Sequence, residues 1–330
     1  MPLPTGVAGR RSLSFIAIAA TTAIVAAAAG CGTTKAPAGD PPGPEKTSIT
    51  VAAVPGEGAA GLYIAQAQGL FAKAGLHVTI KTVTTSDTVI PDMKAGSVDI
   101  ASGQYTSYIL ADAKGLARMR ILAAGYSLGT HVQEIMVAPH SKISSVAGLK
   151  GATIAVNAPD SETTDLLYSV LAPYGISPSE VHVIPFPFPL MPAMLAQGKV
   201  GAIYEIEPYL TEAAEQHGDE ELTDIDTGPV GSFPISGYGV LASWAAKYPH
   251  TAAAFARAIQ QANAIAATNP SALQKALITA LHLNPDVTSV MATGSFPTAT
   301  RPEQLQRVAN LMLRYGQLSQ PFNVNTITGP

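Results

Sequence analysis

Gly56-Glu57-Gly58-Ala59-Ala60-Gly61 has the G-x-G-x-x-G spacing that lets a strand-to-helix turn bring backbone N–H groups close to a phosphate. The flanks fit, because Ser48 to Val54 (SITVAAV) is β-like and Leu62 to Ala74 has helical spacing. A dinucleotide site also needs an acid about 20 residues further on, at the end of the second strand, to hold the ribose. Leu76 to Val83 contains none, so no cofactor is expected, and the turn is read as a close backbone approach to another ligand through Glu57 and Gly58. Gly125-Tyr126-Ser127-Leu128-Gly129 matches G-x-S-x-G, in which Ser127 would be a nucleophile on a sharp turn into a helix. The residues that follow, "THVQEIMVAP", are β-like, so the required helix is missing and no catalytic residue is assigned. Glu205 and Glu207 have the look of paired acids for glycoside chemistry. The preferred reading has one of them lining a cleft and the other, beside Pro208, starting a helix. The histidines show no H-E-x-x-H or similar spacing, so no metal site is expected.

The elements that must position these groups alternate. After the first strand and helix come a strand at His77 to Val83, a helix at Ser86 to Ala95, a strand at Val98 to Ala101, a helix at Tyr105 to Ala113 and a strand at Met119 to Ala123. A second series starts near Ser141: a strand within 148–157, a helix over 161–175, a strand over 181–186 and a short helix at "LMPAMLAQG". This alternation predicts α/β sheets with parallel strands. The two series share phrases. "LFAKAGLHVTI" (70–80) parallels "VLAPYGISPSEVHVI" (170–184), and "MKAGSVDIASG" (93–103) parallels "LAQGKVGAIYE" (195–205), which implies two similar lobes. From Ala245 the pattern is helical, punctuated by Asn269-Pro270 and Asn284-Pro285.

The N-terminal segment points to export. Arg10-Arg11 precedes the uncharged apolar run Leu13 to Ala29, shorter than the ~20 residues of a comfortable membrane span. Ala28-Ala29-Gly30-Cys31 resembles the lipobox of bacterial lipoproteins, so residues 1–30 are expected to be a signal peptide and Cys31 the lipidated residue. Residues 31–47, rich in Pro, Gly and Thr, are expected to be a flexible tether. Cys31 is the single cysteine of the 330 residues, so no internal disulfide forms and the core alone must supply stability. Hydrophobic residues at 47% make that feasible. Net charge is −4, charged residues are 13%, and no basic cluster beyond the signal suggests nucleic acid.

The phrase order "ITVAAVPGEGAAGLYIAQAQGLFAKAGLHVTI", "MKAGSVDIASG", "SKISSVAGLKGATIAV", "LAQGKVGAIYEIEPYLTEA" resembles the SsuA/THI5/NMT1-like family of substrate-binding proteins over roughly residues 48 to 250. Gly201 and Gly148 depart from the family phrases, where aspartates usually stand; both positions are read as turns. The resemblance implies a periplasmic-binding-protein type II fold, with two α/β lobes joined by two crossover strands, ligand in the cleft and a helical C-terminal tail. The crossings are expected near Glu134 to Ala138 and Gly237 to Ala242, with 48–136 plus 239–330 as lobe one and 139–238 as lobe two. It further implies a non-catalytic receptor for a small solute: an ABC importer's membrane-anchored lipoprotein in the cell envelope, monomeric, partnered by a permease and its ATPase. The alternative is an enzyme on the same scaffold, similar to the pyrimidine synthase of thiamin biosynthesis, although that synthase carries a cysteine-rich segment that this chain lacks.

In open α/β sheets ligands sit beyond the carboxyl ends of strands. The candidate contacts are therefore Glu57, Gly58, Ser86, Gln104, Tyr105, Asn157, Ser161, Glu162, Thr163, Tyr204 and Glu205, with Ser161 read both as a helix cap and as a ligand contact. The loops that hold them contain acids and tyrosines and no Lys or Arg. That chemistry suits a neutral or cationic, pyrimidine-like nitrogenous solute, because a buried anion needs a cation or a dense set of N–H donors.

Overall fold

A computed structural model describes residues 43–83, 89–159 and 161–328. The expected signal peptide, most of the tether, Cys31 and Ser86 lie outside the described residues. Strands β1 (Ser48–Ala53), β2 (His77–Thr82) and β3 (Ile100–Gln104) pair in parallel, joined through α1 (Ala60–Ala67), α2 (Leu70–Lys73) and α3 (Val89–Ala95). After α4 (Tyr105–Ala113) comes β4 (Met119–Ser127), which ends this first sheet in the chain's outward pass. The second sheet opens with β5 (Gln133–Val137) and continues with β6 (Thr153–Val156), α5 (Glu162–Leu171), β7 (His182–Pro185), α6 (Met191–Ala196), β8 (Ala202–Ile206), α7 (Tyr209–His217) and β9 (Glu220–Asp224). The chain then returns to the first sheet as β10 (Pro234–Leu241).

The strand orders are β2-β1-β3-β10-β4 and β7-β6-β8-β5-β9. Each sheet therefore has three parallel strands followed by one antiparallel strand, β10 or β5, and in each case that strand is the one by which the chain arrives from the other sheet. The repeated phrases of the sequence correspond to this repeated topology.

The crossings differ from expectation. Residues 134–138 and 237–242 fall largely within β5 and β10, and each of these strands is paired on both sides within one sheet. The chain passes between sheets at 128–132 and 225–233, just before each strand. Their apolar content marks an interior strand buried on both faces, which a periodicity argument does not separate from a connecting one. By hydrogen bonding, β5 belongs with the second sheet and β10 with the first.

The tail consists of α8 (Ala242–Lys247), α9 (Pro249–Thr268), α10 (Pro270–Leu281), α11 (Pro285–Val290), α12 (Pro302–Arg314) and α13 (Asn325–Thr328). In α9 the buried positions 251, 252, 254, 255, 258, 259, 262, 263 and 266 form one helical face. Phe255 from that face stacks on Phe71 at 5.4 Å and meets Tyr238 of β10 edge-on at 5.5 Å, so the tail shares the core of the first sheet. Buried Asn263 fastens it there by donating to the carbonyls of Ala124 (3.0 Å) and Pro297 (2.7 Å). Among the described residues no helix is long and apolar enough to cross a membrane.

Candidate functional site

A cavity of about 1960 Å³ is lined by residues of both sheets and by the tail helix α10. From the first sheet come the turn after β1, carrying Glu57 and Gly58, and the end of β3 with the start of α4, carrying Gln104, Thr106 and Ser107. From the second come Gln133 of β5, the loop and first turn of α5 (Asn157, Ser161, Glu162 and Thr163), and Glu207 after β8.

The glycine-rich turn is a packing device as well as a lining. A Cβ on Gly58 would stand 2.9 Å from the Ser236 hydroxyl, and one on Gly61 would collide with Oδ1 of Asn263. The spacing therefore lets α1 approach β10 and α9. Gly58 borders the cavity; Gly61 serves the core. Beside them, Glu57 Oε2 accepts a long hydrogen bond from the Gly294 N–H (3.4 Å), while Oε1 is buried without a protein partner. Burial pushes this carboxyl up to about 8; the neighbouring Tyr126 hydroxyl and the Gly294 N–H oppose that rise, and the charge of Glu207 adds to it.

At the opposite sheet, Glu162 is 3% exposed at the first position of α5. A helix N-terminus favours a carboxylate there. Burial nevertheless holds the group well above the usual carboxylate range, Asp165 pushes it in the same direction, and Oε2 has no protein partner. Ser161 precedes the helix but does not cap it through its side chain. Its hydroxyl instead donates to the Ala158 carbonyl (2.7 Å) and contacts Asn157 Oδ1 (3.1 Å) and the Thr163 hydroxyl (2.7 Å), and Thr163 donates a short bond to the same Asn157 oxygen. The cap expected of Ser161 is thus replaced by a hydroxyl and amide network that fixes the Asn157 amide.

Three sequence candidates lie elsewhere. Tyr105 starts α4 on its sheet-facing side and is 2% exposed; its ring packs on β10, where a Cβ on Gly237 would approach it to 2.6 Å. Tyr204 is fully buried and donates to Gln133 Oε1 at 2.5 Å, so it reaches the cavity only through Gln133. Glu205, one residue on, projects from the other face of β8 and is absent from the lining. Its Oε1 accepts from the Ile206 N–H (3.1 Å), Oε2 has no partner, and burial raises the carboxyl to about 9. The period-2 alternation of a strand separates the two residues. Of the two glutamates, Glu207, which follows the end of β8, lines the cavity and Glu205 does not. Glu207 accepts from Thr211 N and Oγ1 (3.2 and 2.8 Å) and from Ala292 N (3.1 Å), while burial raises its carboxyl.

The cationic lining residues among those described are Lys94 of α3 and Lys275 of α10, both exposed. Neither forms an ion pair with Glu57, Glu162 or Glu207 among the described residues. Ser127, the centre of G-x-S-x-G, ends β4 and bridges Ser295 through two 3.0 Å backbone bonds, and the chain then runs on toward β5. No strand-to-helix elbow forms there.

Two alike α/β sheets, linked twice and lining one cavity, define the periplasmic-binding-protein type II architecture. A family model described as NMT1/THI5 like matches residues 57–273, so the chain belongs to the NMT1/THI5-like family. No curated protein gives a significant sequence match. Among solved structures, the periplasmic aliphatic sulphonate binding protein SsuA from Escherichia coli is 19% identical, with 86% of this chain and 97% of that chain covered and a TM-score of 0.72. The periplasmic nitrate-binding protein NrtA from Synechocystis PCC 6803 is 18% identical over 87% of each chain, with a TM-score of 0.72. The desulfurization enzyme DSZB is 17% identical, covering 86% of this chain and 97% of that chain, with a TM-score of 0.66. At these identities the likeness establishes the shared fold.

Proposed function

We propose that the protein is the extracytoplasmic solute receptor of an ABC importer, anchored through lipid on Cys31, and that it carries a neutral or cationic nitrogenous solute of pyrimidine type to a permease. The observation that carries the ligand class is the pair of buried, unpartnered carboxyl oxygens at Glu57 and Glu162, set on opposite sides of one cavity with no basic side chain paired to them. Each can accept an N–H from a ligand or, once ionised, neutralise a ligand cation. A sulfonate or nitrate would oppose ionisation of both carboxyls and would find no cation paired with them, so the N-terminus of α5 would have to supply most of its stabilisation. The fold supports the receptor role, since two lobes joined by short crossings can close around a solute.

Calorimetric titration tests the ligand class. Aminopyrimidines should bind more tightly than alkanesulfonates, taurine or nitrate. Micromolar or tighter sulfonate binding that Glu57→Gln leaves unchanged would reverse the assignment.

The anchor has its own test in cells. Cys31→Ala should abolish incorporation of labelled fatty acid and either leave an unprocessed precursor or release the protein to the medium. Lipid label retained by this variant would exclude anchoring at Cys31.

A further inference from the structure

Beside the first crossing, His131 Nδ1 stands 2.9 Å from Glu134 Oε1 and 3.2 Å from Glu221 Oε2, and the three ligand atoms all lie within 4.8 Å of one another. His131 belongs to the 128–132 link, Glu134 to β5 and Glu221 to β9, the strand that leads into the return crossing. We propose that these residues form a binding site for a divalent transition-metal ion of the zinc type, which ties the first crossing to β5 and β9.

The geometry suits such an ion. With metal–ligand bonds of about 2.0 to 2.2 Å, tetrahedral ligands are separated by roughly 3.4 Å, close to the spacing already present. One imidazole nitrogen with two carboxylate oxygens also matches zinc-type ions better than magnesium or calcium, which prefer all-oxygen shells of six or more ligands. The histidine is held in place by its backbone. It adopts φ 62, and its N–H donates to Asp224 Oδ2 at 3.0 Å, while Asp224 Oδ1 accepts from the Asp226 N–H at 2.8 Å. Asp224 is therefore committed to positioning the link and leaves the three other side chains to face one another.

The charge balance also favours an occupant. Glu134 is 4% exposed, and among the described residues neither glutamate has a Lys or Arg ion-pair partner. Two acids thus share one imidazole, which supplies at most a single positive charge. A divalent ion would neutralise both, and His131 and Glu221, each substantially exposed, leave it a path from solvent. The cluster lies outside the cavity lining, so the site is distinct from the solute site and does not depend on the function proposed above.

Titration of the chelator-treated, untagged protein with zinc alone tests the proposal. One equivalent should bind, and His131→Ala and Glu221→Gln should each weaken binding at least tenfold, with circular dichroism unchanged because both side chains are exposed. Cobalt(II) loaded into the unaltered protein should give visible absorption bands of a low-coordinate site, lost in His131→Ala. Magnesium and calcium at the same concentration should not compete. Absence of zinc binding, or binding that both variants retain in full, would overturn the proposal by showing that the cluster is only an internal ion pair.

Discussion

The ligand-free protein should lose several kcal/mol of stability between pH 5 and pH 9, and Glu205→Gln should remove a substantial part of that loss. Glu205 is fully buried and its carboxyl is raised to about 9, against an ordinary value of 4.5. A group whose folded-state value is raised gives stability that is complete below about 4.5 and disappears as pH climbs toward 9, because folding then requires a proton that the unfolded chain has released. Each pH unit between about 4.5 and 9 costs about 1.4 kcal/mol, and local relaxation takes back part of the total, so the contribution lost by pH 8.5 is about 2 to 4 kcal/mol. Asp219, raised to about 6, acts in the same direction over the lower part of the window. Glu45 and Glu180, lowered to about 2, contribute no slope there, being ionised in both states above pH 5. Glutamine has the shape of the neutral acid. Urea unfolding of Glu205→Gln should therefore come close to the unaltered protein at pH 5 and exceed it at pH 8.5. Equal losses in both proteins across the range would show that Glu205 does not titrate as its burial requires.

The same residue shows where sequence reading stops. The strands and helices are legible because their signals are local: β-branched runs, three- and four-residue spacing, and punctuation by glycine and proline. The repeat is legible because the two series share phrases. Which face of β8 looks into the cleft depends instead on its neighbours β6 and β5 and on the helices that cover the other side, and nothing within 202–206 reports it. Tyr105 is similar, since the space that accepts its ring is made by Gly237, in a strand that returns from the other sheet. Gln133 and the face of α10 enter the cavity only through tertiary packing. The cluster at His131, Glu134 and Glu221 has half of its spacing in the sequence, but Glu221 joins it through β5–β9 pairing. By contrast Glu57, Gly58, Gln104, Asn157, Ser161, Glu162 and Thr163 line the cavity from loops that follow strand ends, where the α/β rule directs attention.

Within that lining, Glu57→Gln and Glu162→Gln should each weaken binding of a nitrogenous cation by about 10- to 100-fold, the 1.5 to 3 kcal/mol of a hydrogen bond to a charged group. Binding should also be linked to protons, and the sign identifies the ligand's charge. With its carboxyl raised to about 8 by burial, Glu57 is mostly neutral at pH 7 in the empty cleft. A permanently cationic ligand beside it favours the carboxylate, so binding releases a proton and affinity rises with pH until about 8. A neutral heterocycle that accepts a hydrogen bond from the protonated acid does the reverse: it binds best below about 8 and weakens above it. Glu207 and the Tyr126 hydroxyl both influence the titration of Glu57. Glu207 raises the affinity of the group for a proton, and Tyr126 lowers it. Titrating an aminopyrimidine and its N-methylated cation in two buffers of different ionisation enthalpy separates the cases, because a released proton makes the observed heat depend on the buffer. Glu57→Gln should reduce that dependence, leaving the part that Glu162 carries. If affinity for both compounds is flat from pH 6 to 9 and indifferent to either substitution, the two unpartnered oxygens do not meet the ligand, and the nitrogenous class falls with them.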